Sequence, residues 1–67
     1  MDIKITGEYI TLGQQLKMTD FIQSGGEAKF AVKSLKINVN GEQENRRGRK
    51  LYAGDVIDIE GSVFSLS

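Results

Sequence analysis

The fold is decided by the stretch AKFAVKSLKINVNGE, residues 28–42, because its hydrophobic period changes halfway along. In the first half, apolar residues follow the i, i+3, i+4, i+7 spacing of one helical face. These residues are Ala28, Ala31, Val32 and Leu35. From Ile37 onward, apolar residues alternate with asparagine, as in a half-buried strand, and the Asn-Gly pair that follows favours a tight turn. The stretch therefore predicts a helix that leads into a β-hairpin.

Upstream, the sequence predicts one strand and the start of both helices. Alternation at Ile3 and Ile5 indicates a strand that ends at Gly7. Thr11 and Gln14 have the spacing of a capping box, so we expect a first helix from there to about residue 20. A second pair with this spacing, Ser and Glu at positions 24 and 27, is expected to open the second helix.

Downstream, the sequence predicts three more strands. We expect one at residues 42–45, another at 56–59 after a Gly-Asp turn, and a last one at 63–66 after a Gly-Ser turn. The order of elements indicates an α+β fold in which two short helices pack on a small, mostly antiparallel sheet. We interpret residues 1–67 as a single domain, since a chain of this length buries only one core.

Composition argues against an enzyme. The 67 residues contain no histidine, cysteine or tryptophan, so the commonest general bases, nucleophiles and zinc ligands are missing. No apolar run approaches the roughly 20 residues that span a bilayer, and the first residues do not resemble a signal peptide. We therefore expect a cytoplasmic, monomeric protein without catalytic residues, metal or cofactor.

The charges balance overall but are segregated along the chain. Nine basic residues face nine acidic ones. Residues 28–50 nevertheless contain seven of the basic residues and only two of the acidic ones, a net charge of +5. Such segregation creates a local positive field, which favours a polyanion as the partner. The basic residues of this segment are Lys29, Lys33, Lys36, Arg46, Arg47, Arg49 and Lys50.

These basic residues form two groups. At about 100° per residue, Lys29, Lys33 and Lys36 lie on one helical face, turned away from the apolar face. Residues 46–50, RRGRK, contain no apolar side chain and indicate an exposed loop, whose arginines suit bidentate contact with phosphate. Either group alone is compatible with an ordinary solvated surface. Together they favour binding of an anion.

Three other features support weaker hypotheses. Asn40 is first of all a turn residue, and only secondarily a candidate for direct contact with the polyanion. Tyr9 and Tyr52 are expected to complete the core, although Tyr52 follows the basic loop and is a minor candidate for stacking on bases. The three acidic residues within positions 55–60 are interpreted as solvated charges and not as a metal site.

These elements resemble the S-four RNA-binding domain, also called the alpha-L motif. The resemblance covers about residues 11–59 and rests on two short helices followed by INVNG and GDVI. The segments GGEAK at 25–29 and RRGRKL at 46–51 are similar to those of the short stand-alone bacterial members of the YaaA type. The chain departs from many members in having Ser-Gly where they have Ser-Arg at the start of the second helix.

The resemblance implies an RNA-binding protein, with ribosomal RNA or a ribosomal particle as partner. Family members place RNA against the second helix and the hairpin loop that follows it. Carried over to this sequence, that role falls on Lys29, Lys33, the Asn40–Gly41 turn and the basic loop. The Gly-Asp pair at 54 and 55 matches a turn that serves the fold.

Two other functions stay open at this level. Sulfur carriers of the β-grasp fold are similar in VNGE and in the Gly-Asp-x-Ile-x-Ile pattern, which correspond to residues 39–42 and 54–59. Their chemistry needs a C-terminal Gly-Gly, whereas this sequence ends in VFSLS. A protein-interaction adaptor that uses its acidic remainder is the second alternative.

Overall fold

The computed structural model describes residues 2–67. It has the expected α+β fold, with two helices on a mostly antiparallel sheet. The helices are α1, Leu12–Met18, and α2, Ala28–Ser34, and a 3-10 turn at Gly25–Glu27 precedes α2. The strands are β1 Asp2–Ile3, β2 Ile10–Thr11, β3 Ile37–Val39, β4 Glu42–Gln43, β5 Lys50–Leu51, β6 Val56–Ile59 and β7 Ser62–Leu66.

The strands form one larger and one smaller sheet. The five-stranded sheet has the order β1-β7-β6-β3-β4, in which β1 pairs parallel with β7 and the other pairs are antiparallel. The smaller sheet pairs β2 with β5, a ladder that sequence periodicity did not predict. Two-residue strands carry too little alternation to be recognised from the sequence. Lys50 therefore lies in β5 and not in the loop before it.

Helix α1 begins as the sequence predicts. The hydroxyl of Thr11 accepts from the backbone N–H of Gln14 at 3.2 Å, and the Gln14 side chain accepts from the backbone N–H of Thr11 at 2.8 Å. This reciprocal capping box satisfies two donors at the helix start. The helix ends at Met18, earlier than expected, and Asp20 takes a left-handed φ of 63° that no helix can continue.

The second expected capping box is wrong. Within residues 2–67 the Ser24 side chain makes no capping hydrogen bond, because Gly25–Glu27 forms a 3-10 turn between it and α2. The Glu27 carboxylate instead accepts from the N–H of Gln23, at 3.4 Å. Helix α2 buries Ala28 and Val32 as predicted, but it ends at Ser34. Lys36 consequently lies beyond the helix that was expected to carry it.

The structure confirms the turn predicted after Val39, but it places the turn between β6 and β7 differently from the prediction. Asn40 and Gly41 have φ of 52° and 86°, the left-handed pair of a type I′ turn. The turn between β6 and β7 is formed by Glu60 and Gly61, one residue earlier than expected, with φ of 51° and 89°. Glu60 therefore lies in the turn and outside β6.

One hydrophobic cluster joins the sheet to both helices. Leu12 and Leu16 of α1 and Val32 of α2 pack with the inward residues of β3, β6 and β7. The strands alternate as predicted, with Ile57 and Ile59 buried and Asp58 between them less so. Gln15 is also fully buried, and neither its Oε1 nor its Nε2 has a hydrogen-bond partner within residues 2–67. In the same residues, no helix is long and apolar enough to cross a bilayer.

Candidate nucleic-acid interface

The basic loop is attached to the start of α1 through its backbone. The N–H groups of Leu12 and Gly13 donate to the carbonyl oxygens of Arg49 and Arg47, both at 2.9 Å. These are donors at the helix start that have no partner within the helix. The attachment fixes the loop against α1 and leaves the arginine side chains available for other contacts.

Gly13 allows α1, α2 and the loop to meet. A Cβ at this position would lie 3.3 Å from the Cβ of Ala28 and 3.4 Å from the carbonyl oxygen of Arg47. Separations this short leave little room for a side chain. Arg47 of the loop and Ala28, the first residue of α2, therefore both lie next to Gly13. Lys29 follows Ala28, so it lies near the basic loop.

A groove of about 370 Å³ opens at this junction. Its two charged lining residues are both basic, Lys17 from the last turn of α1 and Arg47 from the loop. Both side chains are exposed, and neither makes an ion pair within residues 2–67. The lining residues are Thr11, Gly13, Gln14, Lys17, Gly25, Ala28, Arg47 and Gly48. The groove thus offers two unneutralised cations beside small or uncharged side chains.

Glu44 organises the loop from inside. Its side chain is only 6% exposed, and its carboxylate accepts from the Nε and Nη2 of Arg46 at 2.9 and 3.2 Å. The same carboxylate accepts from the Nη1 of Arg49 at 2.7 Å, and from the backbone N–H groups of Asn45 and Arg46 at 3.2 and 3.1 Å. One buried charge therefore orients two guanidinium groups and two peptide groups.

These contacts set the charge state of Glu44. The hydrogen bond from Arg46 is the largest cause that lowers the pKa of Glu44, from 4.5 to about 2, with Arg49 contributing and burial opposing. The carboxylate in turn raises the pKa of Arg46. Arg46 remains 72% exposed and Arg49 34%, so each still presents donors to solvent. The loop is a preorganised cationic surface with one internal anion.

Helix α2 presents a second basic surface. Lys29 and Lys33 are exposed on it and make no ion pair within residues 2–67. Phe30 lies between them in sequence and is 67% exposed, with the Lys29 Nζ 5.1 Å from its ring centroid. Lys36 lies in the short connection between α2 and β3, where its backbone N–H donates to the Glu60 carboxylate at 2.7 Å.

Asn40 serves the fold with both ends of its amide. Its Nδ2 donates to Asp55 Oδ1 at 3.1 Å, and its Oδ1 accepts from the N–H of Val56 at 2.9 Å. The other carboxylate oxygen of Asp55 accepts from the N–H of Tyr52 at 2.8 Å. Asn40 and Asp55 thereby connect two turns, and contact of Asn40 with RNA stays a prediction.

The tyrosines are not core residues, contrary to expectation. Tyr9 and Tyr52 are 40% and 45% exposed, with ring centroids 5.9 Å apart.

Two site residues were not identified from the sequence. Lys17 is one of them, because the count of charges by segment grouped it with the acidic remainder of the chain. Glu44 lies two residues before Arg46 and five before Arg49, a spacing that was a signal for an ion pair. The charge count treated Glu44 only as a negative charge that lowers the net charge of the segment, so the signal was not used. No cluster of three metal-ligating side chains occurs within residues 2–67.

Comparison with known proteins matches nearly the whole chain to one family. The S4 domain profile matches residues 3–66 and so covers both helices, the basic loop and the sheet. A relative from Bacillus subtilis (strain 168), called probable ribosome maturation protein RlbA, is 59% identical over 59 residues. The match spans 88% of this chain and 83% of that protein.

Proposed function

The chain belongs to the S4 domain family, and on that premise we propose that it binds structured RNA and acts in ribosome maturation. The target we propose is ribosomal RNA, encountered by a monomer in the cytoplasm. The name of the Bacillus subtilis relative, probable ribosome maturation protein, supports the ribosomal role. Family membership favours this function over that of a sulfur carrier, and the RNA is bound without catalysis.

The observation that carries the proposal is the set of unneutralised cations around one junction. Lys17 and Arg47 line the groove, and Lys29 and Lys33 extend the positive surface along α2 from its start beside Gly13. A polyanion releases its condensed counterions when such cations replace them. The chain is neutral overall, so attraction to RNA depends on this local arrangement and not on net charge.

The three arginines of the loop have different roles. Arg46 and Arg49 are tied to Glu44, which holds their guanidinium planes in place. Arg47 makes no ion pair within residues 2–67, so its guanidinium is available to a phosphate, which it can contact through two parallel N–H groups. Glu44 therefore reduces the charge of the loop but lowers the entropy that the loop loses on binding.

Shape and phosphate contacts fit this surface better than base reading by a helix. Helix α2 has seven residues, a length of about 10 Å, and its exposed basic side chains are lysines. Proteins that read the major groove use a longer recognition helix with arginine, asparagine or glutamine on base edges. Structured RNA is recognised largely through backbone geometry and unpaired nucleotides.

A fluorescence-anisotropy titration across a salt series tests the proposal. The ligands are a structured ribosomal RNA fragment and a DNA duplex of equal length. We expect tighter binding to the RNA, with affinity falling as salt rises. The double variant Lys17→Ala with Arg47→Ala should weaken binding and lower the salt slope by about 2, one for each phosphate contact.

Arg47→Lys is the matched control, because it keeps the charge and the backbone bond to Gly13. It should retain the wild-type salt slope. Far-ultraviolet circular dichroism of each variant verifies the fold. A double variant that binds RNA with the wild-type slope would place the phosphates elsewhere, and equal affinity for the DNA duplex would contradict the preference for RNA.

A further inference from the structure

Two tyrosines form an exposed aromatic pair beside the basic loop. The ring centroids of Tyr9 and Tyr52 are 5.9 Å apart at an angle of 52°, and the side chains are 40% and 45% exposed. The Lys50 Nζ lies 5.0 Å from the centroid of the Tyr9 ring, within reach of a cation–π contact. A tyrosine ring offers an apolar face and a polar hydroxyl, a combination enriched at interfaces, so an exposed pair of such rings beside cations points to a binding role.

The smaller sheet builds this pair. The ladder of β2 and β5 pairs Ile10 with Leu51 and Thr11 with Lys50, so its next step brings Tyr9 opposite Tyr52. Side chains alternate across a strand. Because Ile10 and Leu51 point into the core, the two tyrosines lie on the outer face with Lys50.

Tyr52 also forms one wall of a cleft on the basic loop. The cleft has a volume of about 440 Å³ and is lined by Arg46, Gly48, Arg49, Lys50 and Tyr52. Every charged side chain in this lining is a cation. An aromatic face among cations suits a flat, aromatic group attached to anionic groups, since the ring stacks and the cations pair with the charge. A nucleotide has both parts.

We propose that Tyr52, supported by Tyr9, stacks on an unpaired nucleobase of the bound RNA, while Lys50 and the loop arginines hold its phosphates. This inference rests on the proposed function and specifies it, because a base inside a helix has both faces stacked on its neighbours, whereas an unpaired, unstacked base has a free face. The protein should therefore prefer RNA with a bulged or looped-out nucleotide next to a helix. A stacking contact is tolerant of base identity, so little preference among the four bases is expected.

The first test compares two RNA hairpins with the same stem and the same short, closed apical loop, one carrying a single bulged nucleotide in the stem and one with a fully paired stem. Wild-type protein should bind the bulged hairpin more tightly. Tyr52→Leu keeps apolar volume but removes the aromatic face. It should weaken binding of the bulged hairpin by about 5- to 150-fold, the range for loss of one stacked base, and affect the paired hairpin little. Tyr52→Phe keeps the ring and should behave like wild type.

The second test reads stacking directly. The chain has two tyrosines and no tryptophan, so Tyr9→Phe leaves Tyr52 as its one strong fluorophore. Saturation with the bulged hairpin should quench that emission, whereas Tyr52→Phe, in which Tyr9 is the fluorophore, should be quenched much less. Urea unfolding of each variant verifies that the fold is intact.

The outcomes separate this inference from the proposed function. Tight binding of both hairpins, with no effect of Tyr52→Leu and no quenching of Tyr52, would overturn the stacking contact and leave RNA binding in place. If the protein bound neither of the two hairpins nor the ribosomal RNA fragment, both the stacking contact and the proposed function would be overturned.

Discussion

Replacing Glu44 with glutamine should weaken the basic loop although it raises the positive charge there. The substitution keeps the size of the side chain but removes the anion that five N–H groups of residues 45, 46 and 49 contact. A glutamine amide would also turn its own N–H groups toward a guanidinium. The variant should therefore lose both stability and the fixed orientation of Arg46 and Arg49.

The magnitude follows from the pKa of Glu44, which the fold lowers from 4.5 to about 2. A shift of this size corresponds to about 3 kcal/mol at full strength. Arg46 is 72% exposed, so solvent screens part of the interaction. We expect Glu44→Gln to lower the free energy of unfolding by about 1 to 2 kcal/mol at pH 7.

The dependence on pH has a definite sign. Because the folded pKa is lowered, the carboxylate stabilises the native state above pH 4.5, and this contribution is lost as pH falls through about 2. The stability difference between wild type and Glu44→Gln should therefore be largest near neutral pH and shrink by about half at pH 3. Subtracting the two proteins removes the titration of the other carboxylates.

Urea unfolding at pH 7, 5, 4 and 3 measures this difference. Glu42→Gln is the matched control, since it makes the same change two residues away on an exposed strand with no ion pair in residues 2–67. It should leave stability nearly unchanged. A Glu44→Gln difference that is constant from pH 7 to pH 3 would refute the ion-pair account, since an uncharged contact would have no reason to titrate.

RNA affinity gives a second result from the same two variants. If charge alone governed binding, both substitutions would tighten it, because each removes one negative charge. We expect Glu44→Gln instead to weaken binding by about 5- to 10-fold, because two arginine side chains must then be ordered on binding. Equal tightening in the two variants would show that loop order contributes nothing.

Two further substitutions test the structure away from the loop. Gln15→Met should raise the free energy of unfolding by about 1 to 3 kcal/mol, because Gln15 is buried with no hydrogen-bond partner in residues 2–67; urea midpoints measure this, with exposed Gln23→Met as control. Asn40→Gly keeps the left-handed turn and removes only the amide, so it should cost about 1 kcal/mol of stability. RNA affinity within about twofold of wild type would assign Asn40 to the fold, and a larger loss to the interface.

Predictions from the sequence succeeded where a signal was local and complete. The capping box of Thr11 and Gln14 and the Asn40–Gly41 turn each involve residues within four positions, and both are present. The pair Ser24 and Glu27 has the same spacing as the first capping box but fails. The two glycines between them give the backbone freedom to form a 3-10 turn, so the spacing alone did not determine the cap.

The remaining errors at the candidate site concern contacts between segments that are distant in sequence. The ladder of β2 and β5 joins residues 10–11 to residues 50–51 across both helices. It moved Lys50 into a strand and brought the two tyrosines together on the surface. Hydrophobic periodicity describes one segment at a time, so it does not show which distant strands pair. The tyrosines were therefore assigned to the core by residue type alone.

The arginines of the loop show why a charge count does not define a site. In the sequence all three carry the same weight, whereas the structure ties Arg46 and Arg49 to Glu44 and leaves Arg47 in the groove with Lys17. Substituting Arg46 and Arg47 together would therefore combine two effects, a loosened loop and a lost phosphate contact. Arg47→Ala alone should lower the salt slope at unchanged stability, while Arg46→Ala alone should lower stability as well. Only separate variants can assign the RNA contact to a residue.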